Sequence, residues 1–376
     1  MMRRRGKWTA WLTLVVLVCA GAADGDKKSG GERKSSKSGD DSPIMQVLPC
    51  TEKAEKELLA YAGTGFKARQ TPHFVIAYDT DDETLRNFTH RIEVTYKSVA
   101  QFAEGMGVKV KVPDAKLEII FIDSLEAYRE FGKRSHFPAD DNTPGFYQQG
   151  INRSAFFNYA NSTSIQQAKQ QLRDARNQIK RSAPGRSGLD GNRVANFEAN
   201  IEKMQNRVNR LVVQHEVAHH VLFNIGLHAV GEANPRWFSE GLAMMFETPP
   251  SRSGGAGIGA INQTRLGDWL ELESEKKLVS LRELVSKPEL ILPTNPDAID
   301  AYAQSWALVH YLQRNKRADL VKYIDLIRQR KEERVYSPDE EIATFEKAFG
   351  PLDDRFATTQ RNFIKRLPYK PSETRG

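Results

Sequence analysis

Residues 215–219 read His-Glu-Val-Ala-His, and 21 positions beyond the second histidine Glu240 stands in the segment Trp237-Phe238-Ser239-Glu240-Gly241-Leu242-Ala243. On a helix, residues four apart share a face. His215 and His219 can therefore grip one cation from the same side, while Glu216, one step round, reaches a water on that cation. Two neutral imidazoles and one carboxylate are the ligand set of a catalytic zinc whose fourth position stays open to water. Water on such an ion is acidic enough to attack a carbonyl near neutral pH once a nearby carboxylate takes its proton. The chemistry to expect is metal-assisted hydrolysis, with Glu216 as general base.

That chemistry requires the motif to be helical. Residues 201–223 carry Ile201, Met204, Val208, Leu211 and Leu222 at helical spacing, with no Pro or Gly among them, which predicts a helix through the motif. The third ligand needs a separate argument. A metzincin would place Gly at position 222 and His at 225; Leu222 and Ile225 stand there instead, so that class is excluded. His228 follows Gly226 and is expected past the helix end. Glu232 falls in a loop flanked by Gly, Asn and Pro. Glu247 is a further acidic alternative. Glu240 opens the apolar run 242–246 just after Pro235, and a Glu on a second helix is the preferred ligand. Gly241 and Ala243 are expected to let that helix approach the first closely enough for ligand bonds of about 2.0–2.2 Å.

The segment Trp237-Phe238-Ser239-Glu240-Gly241-Leu242-Ala243 resembles the W-x-x-E-G-x-A segment of gluzincin zinc aminopeptidases. It is more similar still to the peptidase-MA-like domains of secreted bacterial proteins. The likeness extends, more loosely, over most of residues 70–330 through the segments 73–78, 116–122, 124–131 and 302–312. It implies a zincin-like α+β fold: a small mixed sheet with helices, followed by a mainly helical C-terminal half. It also implies a zinc-bound, peptidase-like hydrolase acting on a peptide or protein, without naming the substrate. Members of this group use a Tyr or His from a later helix to bind the oxyanion. Tyr302, Trp306 and His310 share one helical face, so Tyr302 is the first candidate for that role and His310 the second; the alternative is an aromatic core stripe. Thermolysin-like enzymes carry an Asp four residues after the ligand Glu, where this chain has Met244. The histidines need other acceptors for their second ring nitrogens, among which backbone carbonyls and Glu247 are candidates. No acidic exopeptidase motif precedes His215, so aminopeptidase activity is not indicated.

Several elements must hold these residues in place. Residues 51–62 read as a helix. Residues 74–78 and 117–122 read as strands, each followed by a helix, an alternation that suggests a mixed sheet with helices on one side. Residues 145–147 and 154–158 look like an edge hairpin. By the resemblance, the stretch 155–158 is where an extended substrate would pair; the plain alternative is the last strand of the sheet. Residues 161–192 form a polar helical insertion, read as filler or a partner contact rather than catalytic machinery. The Gly-rich stretch 251–259 lacks the ending of a phosphate loop and reads as a connection at the cleft rim. Residues 280–367 are helical by pattern. The domain proper is expected to cover 43–370.

The chain begins Met-Met-Arg-Arg-Arg-Gly-Lys and runs apolar from Trp8 to Ala23, which fits a signal peptide over residues 1–23. The apolar part is short for a membrane span, which takes about 20 residues, so export without a stable span is expected. Val18 precedes Cys19, a poor match to a lipidation site. Residues 24–42 have the composition of a disordered linker. Arg3, Arg4, Arg5 and Lys7 would leave with the signal, lowering the formal charge from +7 to about +3. The basic balance is thus largely a targeting feature, and no basic face for nucleic acid stands out. With Cys19 removed, Cys50 has no partner in the chain, so stability must come from the core. An exported zinc-dependent peptidase is the leading reading. A non-catalytic binding protein on the same fold, or a zinc hydrolase of a non-peptide amide, is the alternative.

Overall fold

The computed structural model describes residues 42–370 except 138, 142, 183–186, 230–232, 249–259, 293 and 332–333. The expected signal peptide, nearly all of the linker, Glu232 and the Gly-rich stretch lie outside these residues.

Helix formation starts where the sequence supplies caps. Thr51 accepts from the Ala54 N–H ahead of α1 (Glu52–Ala62), and Asp81 accepts from Glu83 and Thr84 ahead of α2 (Asp82–Met106). Ser124 caps α3 (Leu125–Arg134) in the same way. Each side-chain oxygen satisfies amides that the first helical turn leaves free. The strands are β1 (Lys67–Gln70), β2 (Phe74–Tyr78), β3 (Leu117–Ile122), β4 (Gly145–Gln148) and β5 (Arg153–Phe157). They form one mixed sheet in the order β1-β2-β3-β5-β4. β2, β3 and β5 run parallel, and β1 and β4 pair antiparallel at the two edges.

Two sequence expectations need correction here. Helices cover both faces of the sheet, not one. Every residue of β2 is buried, and alternate residues enter two separate cores: Phe74 and Ile76 one, Val75 and Ala77 the other. A strand buried on both faces shows a continuous apolar run rather than alternation. The second correction concerns the hairpin. Residues 153–157 form an inner strand between β3 and β4; the free edge belongs to Gly145–Gln148. Both arms are short and apolar, and only the pairing decides which is outermost.

The polar helix α4 (Thr163–Ser182) precedes α5 (Ser187–Asn224), a single helix of 38 residues that carries the His-Glu-Val-Ala-His motif near its C-terminus. Ile201 on α5 joins the core on one sheet face, while Val213, Val217, Val221 and Leu222 join the other. The remaining helices are α6 (Arg236–Ala243), α7 (Gln263–Ser274), α8 (Leu281–Ser286), α9 (Ala298–Asn315), α10 (Arg317–Arg328), α11 (Pro338–Phe349) and α12 (Asp354–Lys365). The fold is therefore mixed α+β, with a small sheet and a helical C-terminal half. No helix among the described residues is long and apolar enough to cross a membrane.

Gly241 is used differently from the expectation. A Cβ there would meet the Ser305 carbonyl oxygen at 2.6 Å and Val309 Cγ2 at 2.6 Å, so its small size lets α6 approach α9 rather than the motif helix. Replacing Gly by Ala inside a helix gains roughly 1 kcal/mol of propensity, but forcing a methyl group into a packed contact costs about 1–3 kcal/mol. Because the clash is with backbone, the second effect should win. Gly241→Ala is expected to lower the melting temperature by a few degrees, as measured by calorimetry; an unchanged or raised value would show that α9 yields at no cost.

Candidate metal centre

α5 and α6 meet so that three side chains converge. His219 Nε2 and His215 Nε2 are 3.1 Å apart, His215 Nε2 and Glu240 Oε2 are 3.1 Å apart, and His219 Nε2 and Glu240 Oε2 are 3.4 Å apart. Among the described residues, His215, His219 and Glu240 are the group that could hold one metal ion. The spacing suits a tetrahedral ion, whose ligands at about 2.0–2.1 Å lie about 3.3 Å from one another. All three side chains are largely buried, at 13–17 % exposure.

The electrostatics favour a cation at this point. Burial disfavours the imidazolium of His215, but hydrogen bonds to Glu240 and Glu247 and the charges of Glu240 and Glu216 outweigh it and raise its pKa to about 10. Burial likewise penalises the Glu240 carboxylate, yet the two histidines hold its pKa well below the usual carboxylate range. A proton or a metal ion can supply the positive charge that these groups call for.

His215 is oriented from behind. Its Nδ1–H donates to Glu247 Oε1 at 3.0 Å, which leaves Nε2 as the nitrogen facing Glu240 and His219. Glu247 follows α6 after the short 3-10 turn Met244–Phe246. It accepts from Arg265 Nη2 at 2.8 Å, Arg265 Nε at 3.1 Å and Asn262 Nδ2 at 2.8 Å. Its burial is opposed chiefly by Arg265 and then by His215, which bring its pKa to about 2. Glu247 thus occupies the place for which Met244 offers no acceptor. Its signal in the sequence is the spacing of seven residues, two helical turns, from Glu240.

Glu216 faces the free edge of the sheet. The Tyr147 backbone N–H on β4 donates to Glu216 Oε2 at 3.0 Å. Burial pushes the Glu216 pKa up against the lowering effect of His215 and His219. A carboxylate held nearer to neutrality is better suited to accept and return a proton. Nothing in the sequence marked Tyr147, because the contact is made by its backbone.

Tyr302 lies on the first turns of α9, close enough that the charge on Glu240 is the main cause of its raised pKa, followed by burial and Glu216. Its hydroxyl therefore stays protonated and able to donate. The Arg265 guanidinium carbon is 5.8 Å from its ring centroid. His310, two turns further along, is buried in the helical core beside Trp306 and Phe363, and burial lowers its pKa to about 4. Of the two candidates, Tyr302 is the one that feels the charges of Glu240 and Glu216, while His310 packs among aromatic side chains.

His228 lies past the end of α5, where Gly226 turns with φ 79°. It is not part of the three-residue group, yet its ring lies 5.7 Å from that of His219. Burial, then His219, lowers its pKa to about 3, so it stays neutral. Its place past the helix end matches the sequence expectation, whereas its nearness to His219 leaves no mark in the sequence.

Comparison with known families adds one match. A family described as "Protein of unknown function (DUF1570)" covers residues 210–332, a span that contains the motif, Glu240, Glu247, Arg265 and Tyr302. No match to the chain is found among curated proteins.

Proposed function

We propose that this chain is an exported zinc-dependent, peptidase-like hydrolase of the gluzincin, peptidase-MA-like type, acting on a peptide or protein. The observation that carries the reading is the pairing of two features. Three ligand atoms lie at tetrahedral spacing, and beside them Glu216, which a site holding metal for structure alone would not need, is held by Tyr147. The donor set of two histidines and one carboxylate fits zinc with one position free.

When bound, zinc supplies the Lewis acidity that makes a water nucleophilic near neutral pH. With zinc bound, Glu216 would take a proton from water and return it to the leaving amine. The Tyr302 hydroxyl donates to the oxygen that becomes negative as the carbonyl is attacked. The free edge of β4, which runs beside Glu216, offers backbone groups to an extended substrate.

Cleavage profiling of a proteome-derived peptide mixture with the zinc-loaded mature chain tests this reading. Products that appear with zinc and vanish on chelation support it. Stoichiometric zinc with no peptide or amide turnover would favour the non-catalytic binding alternative. Tyr302→Phe is expected to lower kcat by roughly 10–1000-fold with KM and zinc content little changed. Full activity in this variant would reduce Tyr302 to a packing residue over Arg265.

A further inference from the structure

We propose that Arg265 is a positioning residue for the metal centre: by gripping Glu247 with two prongs, it sets the His215 imidazole in the orientation that presents Nε2 to the ion. This rests on the metal-ion reading above. Arg265 belongs to neither ligand helix; it sits on the first turn of α7, next to that helix's capping residue Asn262. Its Nε and Nη2 reach opposite oxygens of Glu247, at 3.1 and 2.8 Å. The Glu247 oxygen that takes Nη2 is also the one that accepts the His215 Nδ1–H, at 3.0 Å. Asn262 Nδ2 donates to the other Glu247 oxygen at 2.8 Å and to the Met244 carbonyl at 3.3 Å. A carboxylate turns easily about its last bond. With both oxygens anchored from α7 it cannot turn, and the hydrogen bond that orients His215 is fixed in direction. The guanidinium in turn lies near the Tyr302 ring of α9.

A buried ion pair serving stability alone would have no need to share its oxygen with a metal ligand. Side chains that orient metal ligands from outside the coordination sphere typically change affinity by about 10–100-fold when replaced. Lys would keep the charge but not the fork, because its ammonium acts as a point charge. The pair of Gln substitutions at 247 and 265 leaves no buried charge without a partner.

The test is zinc affinity, read by competition with a chromophoric chelator, together with the melting temperature of each metal-free protein. The variants are R265K, E247Q, the double variant E247Q/R265Q, and H219A. We expect R265K and E247Q each to weaken zinc binding by at least about 10-fold, and the double variant to add little to the weaker single, since the two act as one unit. If R265K and E247Q/R265Q lower only the metal-free melting temperature and bind zinc as the parent does, the positioning role is overturned. Weakened binding in H219A with R265K unaffected would sink the positioning role alone. Unaffected binding in H219A would sink the metal reading itself.

Discussion

Glu216→Gln is expected to keep its bound zinc and lose at least about 100-fold in turnover, the scale of a general-base contribution. Gln has the same shape and can still accept from the Tyr147 N–H, which now meets Glu216 Oε2 at 3.0 Å. It cannot take a proton from water. Burial already pushes the Glu216 pKa upward, so this carboxylate is tuned toward the exchange that the substitution removes. The variant should fold as the parent does, because Gln fills the same buried space, keeps the Tyr147 hydrogen bond and adds no buried charge. Turnover and zinc content measured on the same preparation give the answer. A rate near that of the parent would remove Glu216 from its role, and loss of zinc would make it a ligand instead.

For His219→Ala the expected loss is of metal. One of three ligands disappears, so zinc affinity should fall by more than the roughly 10–100-fold that follows removal of an orienting partner. His219 approaches both His215 and Glu240, at 3.1 and 3.4 Å; without it the remaining two atoms define no site. Metal analysis after dialysis against a chelator distinguishes the outcomes. Equal zinc in the parent and in His219→Ala would refute the site.

The motif helix, the strands over residues 74–78 and 117–122 and the helical C-terminal half can be read from apolar spacing alone, because each depends on local pattern. So can Glu240, which sits on its own short helix. What escaped the sequence depends on which element lies against which. Gly241 marks a close approach, but not that α9 is the helix approached. The two arms of the hairpin look alike until β5 is seen paired on both sides. Glu247 could be reached by counting two turns from Glu240, whereas Arg265 could not: it lies 18 positions beyond Glu247, and an Arg on an amphipathic helix ordinarily faces water. Tyr147 acts through its backbone, which carries no signature of residue type.

The single helix α5 has a consequence for cooperativity. Its upstream half is embedded through Ile201 in the core on one side of the sheet, and its downstream half, with the histidine motif, in the core on the other side. Two cores divided by a sheet could in principle lose order one at a time. Here one helix supplies side chains to both, so the position of either core along it fixes that of the other. The helix that bears His215 and His219 is therefore anchored by packing on both sides of the sheet.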